Sequence, residues 1–405
     1  MATKIINVYK KGKNSAVFFF AVFQKVNFFV YLCKRKIESN YSYMSISNSL
    51  KHLVFRRYRD NEIKRHTLNY LFWECTLKCN LSCLHCGSDC LKKSEQEDMP
   101  VADFVKVLDD IKSSGTADKL TICITGGEPL LRNDLEDAGR EIIQRGFHWG
   151  IVTNGMLLTE NRFRSLINAG MGSMSFSIDG FEPEHNRLRQ NPLGFERVMS
   201  AINLATEYSK LRRFMFDVIT CVNSFNYDSL RDFRQFLIDH GIKHWRIFSI
   251  FPEGRASDNF NQLSISRLQY RGLMDFIAET RKDFGDKIHL NYSCEGWLGD
   301  YELKVRDFFF FCRAGVNIAS VMCDGNVTGC LSVRAKDFIQ GNIYERSFSD
   351  IWNNGYAVMR DRTWAKQGKC ADCSQWNKCL GNGMHLHSGL TDGVARCNYA
   401  ELFNS

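Results

Sequence analysis

Residues 70–86 read YLFWECTLKCNLSCLHC, an apolar run that leads directly into three clustered cysteines. The first part, 70–76, is rich in aromatic and other apolar side chains, which is typical of a strand buried on both faces. Cys79, Cys83 and Cys86 follow at C-x3-C-x2-C spacing on a short loop. Three thiolates on one loop can hold three irons of a cubane iron–sulfur cluster and leave the fourth iron open to a small molecule.

A structural zinc site is the weaker interpretation of this loop. Such a site needs four ligands, usually with a second Cys or His pair about 12–20 residues further on. His85 lies inside the loop, but no second pair follows at that distance. Cys75 and Cys90 flank the motif as spare thiols.

The chain has 405 residues and 16 cysteines, which concentrate at 75–90, 312–330 and 370–397. A secreted disulfide protein would rarely crowd its cysteines three or four residues apart. Metal clusters in a reducing compartment explain the pattern better. We therefore predict a cytoplasmic protein with more than one metal cluster.

Charge is distributed unevenly along the chain. The net charge is +8, but residues 1–69 hold 14 Lys/Arg and 3 Asp/Glu, which leaves the remainder at −3. A basic nucleic-acid-binding face is therefore not expected. The apolar stretch 15–33 has basic flanks, which suggests a segment at the inner membrane surface, whereas Lys25 disfavours a transmembrane span. The alternative is that Met44 is the true start and that 1–43 is translated upstream sequence.

Apolar, β-rich runs alternate with helical periodicity from residue 70 onward. The runs lie at 70–76, 119–125, 147–153, 172–178, 213–222 and 244–251. Helix-like segments, most of them closed by a glycine, lie at 103–114, 134–145, 160–169 and 228–240. This alternation predicts an α/β fold of about six β/α units, either closed into a barrel or wound into an open sheet. In both folds the chemistry lies at the C-terminal ends of the strands.

Glycine and polar residues follow the predicted strands at those ends. They form the groups Gly126-Gly127-Glu128-Pro129, Thr153-Asn154-Gly155, Ser177-Ile178-Asp179-Gly180 and Pro252-Glu253-Gly254. Glycines let the backbone approach a ligand, and Glu128 could accept a hydrogen bond from an ammonium group. Ser177 and Asp179 could bind hydroxyls, and Arg189 a carboxylate, so that together the groups suit an amino acid joined to a ribose. Tight turns and an ordinary surface charge are the alternatives.

These motifs resemble the signature of the radical S-adenosylmethionine enzymes. Cys79, Cys83 and Cys86 match the family's cluster triplet. Residues 126–129 match its methionine-amine motif, and residues 177–189 match its SIDG…HD…R stretch with Asn in place of the second Asp.

The resemblance implies a partial (β/α)6 TIM-like barrel at 70–260 that binds a 4Fe–4S cluster and S-adenosylmethionine. Reductive cleavage of S-adenosylmethionine would give a 5′-deoxyadenosyl radical that abstracts hydrogen from a substrate. A flavodoxin or ferredoxin is the expected electron donor. The implied cofactor contacts are His85, Gly126, Gly127, Glu128, Asn154, Ser177, Asp179 and Arg189.

The C-terminal cysteines resemble the SPASM extension of that family, which carries auxiliary iron–sulfur clusters. Six of the seven cysteines of its pattern are present, at Cys312, Cys330, Cys370, Cys373, Cys379 and Cys397, and Gly383 stands at the seventh. The resemblance implies a distal cluster held by the last four of these thiols, with zinc as the alternative. The proximal cluster would use Cys312 and Cys330, with Cys323 as the predicted substitute for the missing cysteine and Cys294, His385 and His387 as further candidates. The alternative is that this cluster is absent.

The expected organisation is therefore a basic extension at 1–69, the barrel at 70–260, linker helices at 261–300 and a small α+β SPASM domain at 301–405. SPASM enzymes mostly modify peptides or small proteins, so we expect a peptide maturase that forms a thioether or another crosslink. Formylglycine formation is disfavoured, because Leu331 stands where such enzymes place a catalytic Asp. A small-molecule or tetrapyrrole modifier and a non-catalytic iron–sulfur protein are the alternatives.

Overall fold

Parallel strands dominate the computed structural model, which describes residues 48–211, 214–293 and 295–403. In this part of the chain one sheet has the strand order β10-β9-β8-β1-β2-β3-β4-β5-β6-β7. The strands are β1 Tyr70–Thr76, β2 Thr121–Gly126, β3 His148–Thr153, β4 Ser173–Ser177, β5 Met215–Val222, β6 His244–Ser249, β7 His289–Tyr292, β8 Ile318–Val321, β9 Asn326–Thr328 and β10 Gly341–Asn342. Strands β1 to β7 and β8 pair in parallel, while β9 and β10 are antiparallel to their neighbours. The sequence-predicted partial TIM-like barrel is confirmed.

Helices lie between the strands, before β1 and after β10 in the described part of the chain. They are Asn48–Arg65, Val101–Ser113, Leu135–Gln144, Glu160–Asn168, Glu182–Arg189, Gly194–Leu211, Leu230–Asp239, Arg255–Asp258, Phe260–Leu263, Arg267–Asp283, Glu302–Val305, Phe348–Asn354, Ala357–Arg360, Trp376–Cys379 and Asn398–Phe403. The first of these begins in a unit that spans residues 1–57, and residues 58–405 form a second compact unit.

The two faces of the barrel differ because side chains alternate along each strand. On β4, Met174 and Phe176 are buried against the helices, whereas Ser173, Ser175 and Ser177 face the other way and are partly exposed. The same alternation holds on β6 and β7. The outer face therefore builds the core, and the inner face forms a polar lumen.

After residue 260 the structure contains strands as well as the predicted helix. The segment 261–300 contains the predicted helix, Arg267–Asp283, but also β7, which pairs with β6. The C-terminal segment is not a separate sheet, because β8 pairs in parallel with β1, from Tyr70↔Ile318 onward. Two helices between β4 and β5, Glu182–Arg189 and Gly194–Leu211, were not predicted.

The interpretations of the stretch 15–33 and of Met44 concern positions outside the described residues. Among the residues that are described, no helix combines the length and the apolar character needed to cross a membrane.

Candidate active site and cluster sites

The three loop cysteines follow β1 and lie together. Cys79 and Cys83 are buried, Cys86 is partly buried, and all three pack with Leu81. Arg255, which the sequence analysis did not single out, fastens this loop by donating hydrogen bonds from Nε to Cys83 O (3.0 Å) and from Nη2 to Cys90 O (2.8 Å). The sequence signal for it was the predicted strand-end motif Pro252-Glu253-Gly254 directly before it.

The thiols of the loop differ in acidity. Burial raises the pKa of Cys83 to about 12, whereas a hydrogen bond from the Cys90 thiol lowers the pKa of Cys86 to about 6. Iron binds the thiolate form, so that loading the loop releases protons. Cys90 therefore favours the ligating form of Cys86.

Gly126 and Gly127 are required where the backbone of β2 meets the backbone of the cysteine loop. Gly126 has φ +125°, and a Cβ there would overlap the carbonyl oxygen of Thr76. A Cβ on Gly127 would overlap the carbonyl oxygen of Lys78. The paired glycines thus let the end of β2 lie directly against the start of the cysteine loop.

Glu128 is fully buried and accepts three hydrogen bonds from the protein. Its Oε1 accepts from Leu130 N (3.1 Å) and Thr153 Oγ1 (2.8 Å), and its Oε2 accepts from Asn154 N (2.8 Å). A carboxylate offers about four acceptor positions, so one is left for an ammonium group. Burial raises the pKa of Glu128, and these donors oppose that rise.

Asn154 joins Glu128 to the cysteine loop. Its side-chain Nδ2 donates to Asn80 Oδ1 (2.8 Å) and lies 3.8 Å from Cys79 Sγ. The predicted cofactor contacts Glu128 and Asn154 are thus brought beside the first thiol of the triplet.

Asp179 accepts hydrogen bonds from the protein at both of its carboxylate oxygens. Its Oδ2 accepts from Arg189 Nε (2.7 Å) and its Oδ1 from Cys221 N (2.8 Å). Arg189 Nη1 lies 3.9 Å from Cys83 Sγ, so the guanidinium reaches the cysteine loop. Ser177 is partly exposed at the end of β4, and it lies on the lumen side.

The buried side chain of His85 has a hydrogen-bonding atom that is not satisfied within the described part of the chain. Among the described residues its buried Nδ1 has no hydrogen-bond partner. Burial lowers the pKa of His85 to about 4, which keeps the ring uncharged at neutral pH. A neutral ring with an unused polar atom suits the predicted contact to an adenine.

The four distal thiols line one small cavity. Cys370, Cys373, Cys379 and Cys397 surround it together with Trp297 and other residues. Cys330 lies near Cys312 at a second site, where the buried guanidinium of Arg362 lies close to Cys312. The structure thus places the six SPASM cysteines in two groups.

Cys323 does not fit the ligand role predicted for it. It lies in the turn that joins β8 to β9, where its Sγ donates to Glu97 O (3.2 Å), whereas Cys330 follows the far end of β9. The two thiols are therefore at opposite ends of a hairpin. Cys294, a further candidate, lies outside the described residues.

The described thiols do not form the ligand set of a single metal ion. Among the described residues no three His, Cys, Asp or Glu side chains converge as ligands of one metal ion would. A zinc site with sulfurs about 2.3 Å from the ion needs such convergence. A four-iron cluster spreads its thiolates over separate irons.

Comparison with known protein families identifies two domains in the chain. The model of the radical SAM superfamily matches residues 73–237, and that of the SPASM iron–sulfur cluster-binding domain matches residues 312–374. An AdoMet-dependent heme synthase of Methanosarcina barkeri is 28% identical over 79% of this chain and 92% of its own length. The mycofactocin maturase MftC of Mycolicibacterium smegmatis is 25% identical over 78% of this chain and 77% of its own.

Solved structures share the fold. Streptococcus suis SuiB bound to S-adenosylmethionine superposes with a TM-score of 0.62 and 17% identity, over 92% of this chain and 87% of that one. The two matched domains bring 4Fe–4S clusters and S-adenosylmethionine as cofactors, and when bound these supply the radical chemistry that protein side chains lack. The chain is therefore a radical SAM enzyme with a C-terminal SPASM domain.

Proposed function

We propose that Cys79, Cys83 and Cys86 hold the radical SAM cluster and that the enzyme abstracts a hydrogen atom from a substrate carbon. The observation that carries the proposal is the convergence of Glu128, Asn154 and the Asp179–Arg189 pair on the cysteine loop. In this arrangement Glu128 keeps one acceptor position for the methionine ammonium, and His85 offers a neutral ring to the adenine.

A cleft beside the ends of β5 and β6 supports substrate binding near this site. Its cavity volume is about 310 Å³, which is at the lower end of the range of pockets for organic ligands. Ser249 and Glu253 line it from the barrel, and His385, Arg396 and Glu401 from the C-terminal segment. Arg396 supplies a cation that would favour a carboxylate-bearing substrate.

A peptide or small protein is the first candidate substrate. The relatives include the sporulation killing factor maturation protein SkfB of Bacillus subtilis, 26% identical over 75% of this chain, and the mycofactocin maturase. Leu331 follows Cys330, so formylglycine formation lacks its expected acid. Formation of a thioether or another crosslink is the reaction that we propose for this class.

A tetrapyrrole with carboxylate side chains is the second candidate. It is favoured by the heme synthase similarity, which has higher identity and covers more of the relative's length than the similarity to the maturases. The guanidinium of Arg396 in the cleft suits such a substrate as well.

Mass spectrometry separates the two candidates. The reconstituted enzyme is incubated anaerobically with S-adenosylmethionine and dithionite, either with peptides encoded by neighbouring genes or with iron coproporphyrin. A peptide lighter by two hydrogen atoms supports crosslinking, and a changed porphyrin mass supports the tetrapyrrole class. Formation of 5′-deoxyadenosine without change in either substrate would reject both classes but not the radical chemistry.

A further inference from the structure

An imidazole fills the place of the missing SPASM cysteine. A Cβ on Gly383 would lie 2.6 Å from Cε1 and 2.8 Å from Nδ1 of His385. The Gly383 backbone itself is extended, with φ −70° and ψ 145°, which any residue can adopt. Glycine is therefore suited to this position because the His385 ring occupies the space, and not because of its backbone conformation.

The outer nitrogen of that imidazole is unused. Nε2 is bonded to Cε1, the ring atom nearest to the Gly383 side-chain position, and among the described residues it is buried without a hydrogen-bond partner. A buried polar atom with no partner is unfavourable, so such atoms are rare in folded proteins. Such an orphaned nitrogen on a neutral ring is a good metal ligand.

The same segment lies against the proximal thiols. Met384, between Gly383 and His385, donates a hydrogen bond from its N–H to Cys312 Sγ (3.5 Å). Cys330 lies close to Cys312, so that the two thiols are neighbours at this site. Arg362, which lies close to Cys312, is also an electrostatic neighbour of His385.

We propose that Nε2 of His385 replaces the missing thiolate and, together with Cys312 and Cys330, holds the proximal auxiliary cluster. Histidine is a known substitute for cysteine in iron–sulfur ligation, and it raises the reduction potential relative to thiolate ligation. The proposal concerns a cluster site and is independent of which substrate the enzyme modifies.

Iron content and spectroscopy of three variants test the proposal. Anaerobically reconstituted wild-type protein should hold about twelve irons, and His385→Ala about eight, because one of three four-iron clusters is lost. The double variant Gly383→Cys/His385→Ala removes the imidazole that the new cysteine side chain would overlap. Because this cysteine restores the SPASM thiolate, the variant should regain about twelve irons. Cys323→Ala, a thiol seven residues before Cys330, is the matched control and should keep the wild-type content.

Nitrogen hyperfine coupling of the reduced clusters provides the second readout. A strong coupling to a directly bound nitrogen should be present in wild-type protein and absent from the double variant, whose cluster should also have a lower reduction potential. Two clusters in the wild-type protein, an unchanged coupling in His385→Ala, or failure of the double variant to regain iron would each overturn the proposal. The other two clusters show whether a variant has folded. If His385→Ala loses all its iron, this variant no longer tests the proposal. The hyperfine spectrum of the wild-type protein and the iron content of the double variant then decide.

Discussion

Arg189 and Asp179 form a buried ion pair next to the cysteine loop, with Arg189 Nε 2.7 Å from Asp179 Oδ2. The side chains are 9% and 1% exposed, so neither charge is well hydrated. The pair joins the end of β4 to the helix Glu182–Arg189, and through Nη1 it reaches Cys83. This contact connects the stability of the fold to the geometry of the predicted cofactor site.

Substitution of Asp179 should therefore be costly. Asp179→Asn leaves a buried guanidinium without its counter-charge, which typically lowers the free energy of unfolding by about 3–5 kcal/mol. Glu160→Gln breaks the exposed Glu160–Arg164 pair and should cost less than about 1 kcal/mol. Anaerobic urea denaturation measures both, and similar losses in the two variants would contradict the structural role of the buried pair.

His185 should make stability depend on pH. Its Nδ1 accepts a hydrogen bond from Asp179 N (3.1 Å), and burial, assisted by Arg189, lowers its pKa to about 3. The unfolded chain takes up this proton near its ordinary pKa of 6.5, whereas the folded protein does not. Stability contributed by neutral His185 is thus present above about pH 6.5 and lost as the pH falls toward about 3.

The variant His185→Gln stays neutral and should remove this contribution. The dependence of the unfolding free energy on pH should become shallower by up to about 1.4 kcal/mol per pH unit in that interval. Urea denaturation at several pH values provides the slopes. Equal slopes in the two proteins would show that His185 is not held neutral.

Gly127 should tolerate no side chain. In Gly127→Ala the new methyl would overlap Lys78 O, next to Cys79, and the expected loss of stability is about 3 kcal/mol or more. Gly115→Ala is the control, since Gly115 has φ +69° but no heavy atom within 4 Å of the new Cβ, and backbone strain alone costs about 1–2 kcal/mol. Thermal unfolding and iron content are measured together. A Gly127→Ala protein as stable and iron-rich as Gly115→Ala would refute the close packing of the loop on β2.

Arg334 should couple the C-terminal segment to β1. Its Nη2 contacts Glu74 Oε1 and donates to Ser88 Oγ (2.8 Å), and the Glu74 side chain is 1% exposed. Arg334→Met leaves a buried carboxylate unpaired and should cost about 3–5 kcal/mol. Glu74→Gln combined with Arg334→Met should cost clearly less than the sum of the two single changes. Additive losses in this double-mutant cycle would mean that the two side chains act independently.

Much of the barrel was predictable because its strands are continuous apolar runs. The run 70–76 coincides with β1, and the other five predicted strands overlap β2 to β6. β7 was missed because it has only four residues, with His and Asn alternating with Leu and Tyr. The pairing of β8 with β1 joins residues that lie about 250 positions apart, and no local pattern encodes such a contact.

The structure adds contacts to the predicted site residues that the sequence did not reveal. The sequence placed Glu128 and Asp179 at strand ends, but only the structure shows that Asp179 is occupied by Arg189 and Cys221 N. Cys323 was a reasonable substitute ligand by spacing, whereas the hairpin places it away from Cys330. The replacement that the structure favours, His385, depends on a contact with Gly383 that spacing alone does not reveal.

Cleavage of S-adenosylmethionine tests the central claim most directly. Wild-type protein, Cys79→Ala and the control Cys75→Ala, a buried thiol outside the triplet, are reconstituted with iron and sulfide and incubated anaerobically with S-adenosylmethionine and dithionite. Chromatography should detect 5′-deoxyadenosine from the wild-type protein and from Cys75→Ala, and none from Cys79→Ala. Undiminished formation by Cys79→Ala, or none by wild-type protein with a loaded cluster, would contradict the assignment of this loop as the radical-generating site.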